Sequence, residues 1–473
     1  MKSIMLSAVI VLAACVSQPH EQRQWLAGDH HIHSYYSVGW DQSSPPKPIV
    51  GGDATYSIEK NAEMAKKFGL QWMVATDHGG PNHAKINLQQ AYPELLQARD
   101  AHPTVIQFFG LELNTPGADH SSIIIPKTDQ EAAHLHSFES QFDSRQVWPL
   151  DATRNTEPLM LDALQYVENW PEKPVVIAHH PSRSASGLGS YGHTEPAELR
   201  RWNNTAPEIA VGMEGAPGHQ AAQLRQGEPG NASIIPAWVY ARGAYGRGYP
   251  TMGGFDQMTA QLGGFWDSML GEGRRWWITA NSDSHVHYTE GGIDFWPGEY
   301  SKTYVYAVKD HADVLDGIRR GRIFVTTGDL ISELYLDAEF DGKSAAIGEG
   351  LKVPKDAEVT INIRLKDPAA LNPSGNNPSV ERVDLIVGEV SGPTDNLDLN
   401  QNPTTRVVLR FTEWQRDGEY LTMSHRLPLK TASYVRVRGT NNVDELEPAA
   451  DEHGEDPWSD LWFYSNPVFV SIE

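Results

Sequence analysis

Between about residues 25 and 329 the chain alternates short, continuous apolar runs with segments of helical period. The apolar runs, at 72–75, 105–109, 122–125, 175–178, 209–213, 276–279, 303–308 and 323–326, read as strands buried on both faces. Between them, 56–68 repeats Ile58, Ala62 and Ala65 at helical spacing, with Lys66 and Lys67 where a helix C-terminus favours cations. A second helix is expected over 310–319, again with basic residues at its end. Strands and helices alternating at this density predict parallel βα units, in an α/β barrel or an open α/β sheet. Such folds place their active sites at the C-terminal ends of the strands.

Past residue 330 the pattern changes. Residues 358–365 and 434–438 alternate apolar and polar positions, and 383–387 and 407–411 add two further strand-like runs. Turn-rich stretches separate them, so an antiparallel β-sandwich-like domain is expected over 331–473. Such a domain either binds a partner or glycan or braces the barrel. Bracing is the favoured reading, because no cluster of metal-type ligands falls there. The acidic stretch 444–460 reads as a solvated loop rather than a calcium site. Residues 243–275, rich in Gly, Tyr and Trp, read as a long insertion, serving as a lid over the site or as a cap packed on the barrel.

The chain has 473 residues, with 38 basic and 61 acidic side chains, a net charge of −23 with neutral histidines. That balance predicts no nucleic-acid partner, since phosphate binding calls for Lys/Arg stripes. The one cysteine, Cys15, ends a short apolar run that follows Lys2. This is the pattern of a secretory signal over 1–15, too short to span a bilayer. The segment Leu12-Ala13-Ala14-Cys15 resembles a lipobox, with Cys15 as the lipidated residue and 16–24 as a polar tether. The resemblance implies a bacterial outer-membrane lipoprotein facing the periplasm, whose only contact with membrane is the lipid. Once Cys15 is acylated no thiol remains, which excludes a cysteine nucleophile.

Six clusters of metal-type ligands punctuate the apolar runs: His31 and His33, Asp77 and His78, Glu112, His120, His179 and His180, and Asp283 and His285. Imidazole and carboxylate together suit Zn²⁺, Mn²⁺ or Fe²⁺. In an extended segment residues two apart share a face, so His31 and His33 can converge on one ion, as can Asp283 and His285. Asp29, on the same face, is placed to accept the spare N–H of a ligand. Scattered core histidines would explain any one cluster but not six at strand ends, where unpaired ionisable groups are costly to bury.

These motifs resemble those of the PHP (polymerase and histidinol phosphatase) superfamily. The resemblance spans residues 28–330: Asp29, His31, His33 and Ser34 match its first motif, and Thr76-Asp77-His78 its second. Gly110-Leu111-Glu112 with His120, Ala178-His179-His180-Pro181, and Ser282-Asp283-Ser284-His285 match the others. It implies a distorted (β/α)₇ barrel over 25–330 holding two or three divalent ions. One ion would be bound by His31, His33, Glu112 and Asp283, and a second by Glu112 as a bridge with His120 and His180. A third would take His78 and His285. Where many members carry a further ligand this chain has Gly39, and Asp41, two residues on, is the expected substitute. His180 is preferred to His179 because it precedes the proline.

The implied activity is hydrolysis of a small-molecule ester by metal-activated water, whose pKa falls from about 15.7 to about 7. A phosphate ester is the leading substrate. The alternatives are a carbamate or carboxylic ester, as in the CehA/McbA-like branch, and a lipoprotein that binds metal or ligand without catalysis. Arg183 and Asp77 are the expected catalytic side chains. Arg183 either offers a forked donor to an anionic oxygen or forms a surface ion pair. His219, Glu214 and Lys302 are weaker candidates for substrate contact.

Overall fold

The computed structural model describes residues 22–225, 250–452 and 454–473. The expected signal 1–15, its Cys15, residues 16–21 of the tether and residues 243–249 lie outside them. Among the described residues no helix is long and apolar enough to cross a membrane.

Nine strands build the barrel wall: β1 (Gln24–Asp29), β2 (Trp72–Ala75), β3 (Ile106–Asn114), β4 (His120–Ile125), β5 (Val175–Ala178), β6 (Ala210–Ala216), β7 (Trp277–Ala280), β8 (Ser301–Ala307) and β9 (Ile323–Thr327). They neighbour in the order β9-β8-β1-β2-β3-β4-β5-β6-β7. The runs β1-β2-β3 and β5-β6-β7 are parallel, as the alternation of strands and helices predicts. β4 lies antiparallel to both β3 and β5, and β8 antiparallel to β1 and β9. The cause at β4 is chain length: the few residues between Asn114 and His120 allow a hairpin, whereas a parallel crossover needs about a dozen.

β7 meets β8 through side chains rather than a strand ladder. Thr303 Oγ1 accepts from Ala280 N at 2.7 Å and donates to Ala280 O at 2.6 Å. Ser301 Oγ donates to Asn281 O, and Ile278 N donates to Asn466 Oδ1 at 3.0 Å. The helices form as their sequences dictate. Ile58–Lys67 is capped by Ser57 Oγ and His311–Arg320 by Asp310, each ending in basic residues.

The C-terminal strands are not a detached sandwich. Trp462–Ser465 pairs antiparallel with β9, and Ser433–Thr440, Val468–Ile472 and Arg382–Glu389 carry the same sheet onward. A second, five-stranded antiparallel sheet, centred on Glu333–Phe340, Glu358–Lys366 and Tyr420–Pro428, forms the facing layer. Leu334, Leu336, Ile361 and Ile363 from this sheet pack with Val383, Leu385, Val435 and Val437 from the other. Without Trp462–Ser465, β9 would present a bare edge of apolar strand, which the pairing removes.

The described part of the 243–275 insertion packs as a cap. Phe265–Gly271 is buried throughout, and Asp267 receives Arg436 Nε at 2.9 Å, Arg436 Nη2 at 2.7 Å and the Tyr434 hydroxyl at 3.0 Å. This buried pair ties the insertion to the strand Ser433–Thr440. Breaking one partner of such a pair leaves the other charge stranded, typically at about 3–5 kcal/mol. Asp267→Ala should therefore lower unfolding stability by about that amount in urea titration, whereas a surface change such as Glu63→Ala should not.

Candidate metal centre

The first histidine pair is set by clamps on the backbone where β1 ends. Asp29 accepts from His31 N and Ser282 N, both at 3.0 Å, and Ile32 N donates to Thr76 Oγ1 at 2.8 Å. Ile32 also bridges Ser284, so the segments carrying His31, His33, Asp283 and His285 lie side by side. Asp29 thus holds backbone amides, not the imidazole N–H expected of it. Glu214, at the end of β6, takes that part: its Oε1 lies 2.7 Å from His31 Nδ1, and its Oε2 accepts from His180 N.

Glu112 is the hub. Its Oε1 lies 2.9 Å from His120 Nδ1, 2.9 Å from His179 Nδ1, 3.3 Å from His180 Nε2 and 3.3 Å from His31 Nε2. Its Oε2 lies 3.4 Å from His33 Nε2. Asp283 Oδ1 stands 3.0 Å from His31 Nε2 and 3.1 Å from His33 Nε2. His78 Nε2 is 3.1 Å from His120 Nε2. His179 and His180 therefore both reach Glu112, and His179 also stacks on His31 at 3.6 Å between ring centres. Three residues of the neighbourhood, His180, His219 and Asp283, adopt left-handed backbone at φ of 25°, 64° and 45°. Such conformations in residues other than glycine concentrate at functional sites.

Three expectations are corrected by the geometry. Asp41 is not brought to the cluster. It sits in the turn between Val38–Trp40 and Pro48–Val50, where it caps Ser43 and Lys47 N. That hairpin carries Asp41 outward and returns the chain at Gly51-Gly52-Asp53, so that Asp53 enters instead, 3.2 Å from His285 Nε2 and 3.9 Å from His33 Nδ1. Asp77 does not face the reacting space. Its oxygens take Ser34 N, Ser34 Oγ and Ser37 Oγ, and Ser37 Oγ in turn lies 2.9 Å from His33 Nδ1. It is a positioning residue. Lys302 pairs with Asp329, away from the cluster.

Arg183, about one-third exposed, pairs with the buried Asp119 beside His120 and His180. His219 Nε2 lies 2.6 Å from Asp283 Oδ2, and its Nδ1 contacts Asp294. Sequence reasoning missed Asp53, Asp119 and Asp294. Asp119 adjoins His120 and was open to notice; Asp53 becomes visible only once the hairpin is known. The described part of the insertion also reaches the site, through Asp256, which accepts from Ser182 N at 2.9 Å and Ser182 Oγ at 2.8 Å.

The protonation states suit a cation. Burial pushes His78 down to about 3, with His120 adding to it, and His180 down to about 4, with Arg183 adding to it. Burial alone would raise Glu112 and Asp283, yet the imidazoles around them hold both well below the usual carboxylate range. Burial opposes a charge on His31, but Asp283, Glu112 and Glu214 raise it well above the ordinary value, so a proton there stands where positive charge is demanded. Burial likewise lifts Glu214 to about 7, with His31 pulling the other way. His78 Nδ1 and His180 Nδ1 are buried without hydrogen-bond partners, and His31 Nε2, 3.0 Å from Asp283 Oδ1, makes no well-aligned hydrogen bond. Ligand-type atoms lie within 4.8 Å of one another in the groups His31/His33/Glu112, His78/Glu112/His120, Glu112/His179/His180 and His33/Asp53/His285. Orphaned imidazole nitrogens among ionised carboxylates fit divalent ions held by mixed N/O donors.

The class that fold and site define is an α/β protein with a candidate metal centre at the ends of its barrel strands. No family profile matches the chain, and no curated protein sequence matches it. Among solved structures it is similar to a Bifidobacterium adolescentis protein assigned as a metal-dependent phosphoesterase, at 14% identity and a TM-score of 0.29, over 57% of this chain and 90% of that one. It is also similar to Endonuclease Q in complex with a 27-mer duplex bearing an abasic lesion, at 14% identity and a TM-score of 0.30, over 63% of this chain and 56% of that one. The second protein is solved on DNA, which stands against the expectation of no nucleic-acid partner. Net charge averages the whole surface and does not describe the local surroundings of Arg183.

Asp53→Asn should weaken divalent-ion binding at least about tenfold, read by calorimetric titration of Mn²⁺ or Zn²⁺ into chelator-treated protein. Asp41→Asn should leave the titration unchanged; equal effects of the two changes would refute the placement of Asp53.

Proposed function

We propose that this chain is a metal-dependent hydrolase of phosphate esters, of the PHP type, working at the centre around Glu112. The observation that carries this reading is Glu112 itself, one buried carboxylate within 3.4 Å of imidazole nitrogens from His31, His33, His120, His179 and His180. His31, His33, Glu112 and Asp283 would hold one ion. Glu112, His120 and His180 or His179 would hold a second, and His78, His285 and Asp53 a third. Bound divalent ions would supply Lewis acidity toward a phosphoryl oxygen and acidify water near neutral pH.

The remaining work falls to the chain. Glu214 and the Asp77–Ser37 pair fix the tautomers and aim of His31 and His33. Asp119 holds Arg183 at the rim, where its partly exposed guanidinium can take an anionic oxygen with two N–H groups. That charge favours a phosphate ester over the neutral carbamate of the CehA/McbA-like branch. Phosphodiesters, including those of nucleic acid, fall within the proposed class. Ser37 Oγ meets His33 and Ser122 Oγ meets His179, so these two buried hydroxyls position ligands rather than stand free to attack.

The test is hydrolysis by the metal-loaded chain of p-nitrophenyl phosphate, bis-p-nitrophenyl phosphate, a DNA oligonucleotide and 1-naphthyl N-methylcarbamate. Turnover of at least one phosphate ester is expected, falling about a hundredfold or more in Glu112→Gln together with metal content. Arg183→Met should raise KM for phosphate esters with a smaller change in kcat. Turnover of the carbamate alone, or metal binding with no hydrolysis of any of the four, would overturn the proposal.

A further inference from the structure

The five-stranded C-terminal sheet buries one face against the rest of the molecule, and on its other face it holds an open groove of about 800 Å³. That volume is in the range of ligand sites, about 300–1,000 Å³. The strand register arranges the groove in two rows. In one, Tyr335, Arg364, Thr422 and Gln415 stand opposite one another across four strands. In the next, Asp337, Asn362 and Ser424 do the same.

Both rows are fixed in place. Asn362 Nδ2 donates to Asp337 Oδ2 at 3.0 Å, and Ser424 Oγ donates to Asn362 Oδ1 at 3.1 Å. The Arg364 guanidinium lies 4.3 Å from the ring centres of both Tyr335 and Tyr420, and no carboxylate among the described residues forms an ion pair with it. The two tyrosine hydroxyls are held by Glu333, at 2.8 Å and 2.9 Å. A guanidinium held through its faces keeps its N–H edges for a ligand. Trp414 adds an apolar surface to the rim, next to Gln415.

Charge decides the class of ligand. The groove carries Asp337 and Glu413 against the single cation Arg364, so its lining is net negative and repels phosphate, sulfate and nucleic acid. What remains is a ligand that both donates and accepts hydrogen bonds and has an apolar face. Sugar rings have both, with hydroxyls around the edge and C–H groups on the faces that pack on aromatic rings. We propose that this groove binds a neutral oligosaccharide, giving the C-terminal sheet a recognition role in addition to bracing the barrel. The proposal is independent of the reaction at Glu112.

The experiment is calorimetric titration of the full chain with maltotriose, cellotriose, xylotriose and chitotriose, alongside heparin as the anionic comparison. At least one neutral sugar should bind, and Trp414→Ala and Gln415→Ala should each weaken it about tenfold or more, one well-made contact being worth about 1.4 kcal/mol. Both variants should keep the wild-type unfolding midpoint and metal content. Arg364→Met should abolish binding, and its unfolding midpoint reports whether the sheet survives. Failure of all four sugars, unchanged affinity in both Trp414→Ala and Gln415→Ala, or binding of heparin in place of neutral sugars would overturn the proposal.

Discussion

A single buried carboxylate, that of Glu112, sets the terms for the rest of the structure. An ionised acid taken out of water is tolerated only with compensating charge or hydrogen bonds. Here the compensation comes from strands and loops far apart in sequence: His31 and His33 after β1, His120 on β4, His179 and His180 after β5. Those histidines in turn lean on Glu214, Ser37 and Asp119. The strand order that appears irregular on paper, with β4 antiparallel between β3 and β5, is what brings His120 beside Glu112: Glu112 and Ser122, then Asn114 and His120, face each other across the hairpin.

Much of this was legible in the sequence because the chemistry is local. Ligand pairs two residues apart on an extended segment declare their shared face, and apolar runs just before them declare strand ends. The alternating segments past residue 330 declare a two-layer β structure. The failures have one cause: sequence spacing says nothing of what a loop does in three dimensions. Asp41 is nearer than Asp53 to His33 along the chain, yet the Val38–Trp40/Pro48–Val50 hairpin reverses their order in space. Asp77 carries the right motif, but the tight turn through Ser34 and Ser37 engages both its oxygens. Nor does periodicity reveal which strand edges meet, so the continuation of the barrel sheet through Trp462–Ser465 was hidden until the structure was seen.

The two halves of the molecule divide their chemistry by electrostatics. The barrel end gathers carboxylates and imidazoles in groups that could hold cations, the setting proposed for an anionic ester. The outer face of the C-terminal sheet has fixed hydrogen-bonding groups, aromatic rings and an excess of negative charge, and suits uncharged polar ligands. Neither property follows from the net charge of −23, which is a sum over both.

The side-chain seam between β7 and β8 has a consequence for how the molecule breathes. A ladder of main-chain bonds resists opening along its length, whereas this junction rests on Thr303 and Ser301. The segment from Asn281 to His285, which supplies Asp283 and His285, leaves the barrel at this point. Opening of the seam frees one side of this segment while Asp29 and Ile32 still hold its other side to β1, and a cation held by Asp283 and His285 would add a tie across the junction. Amide exchange along β7 would then slow on the filling of a site several residues away.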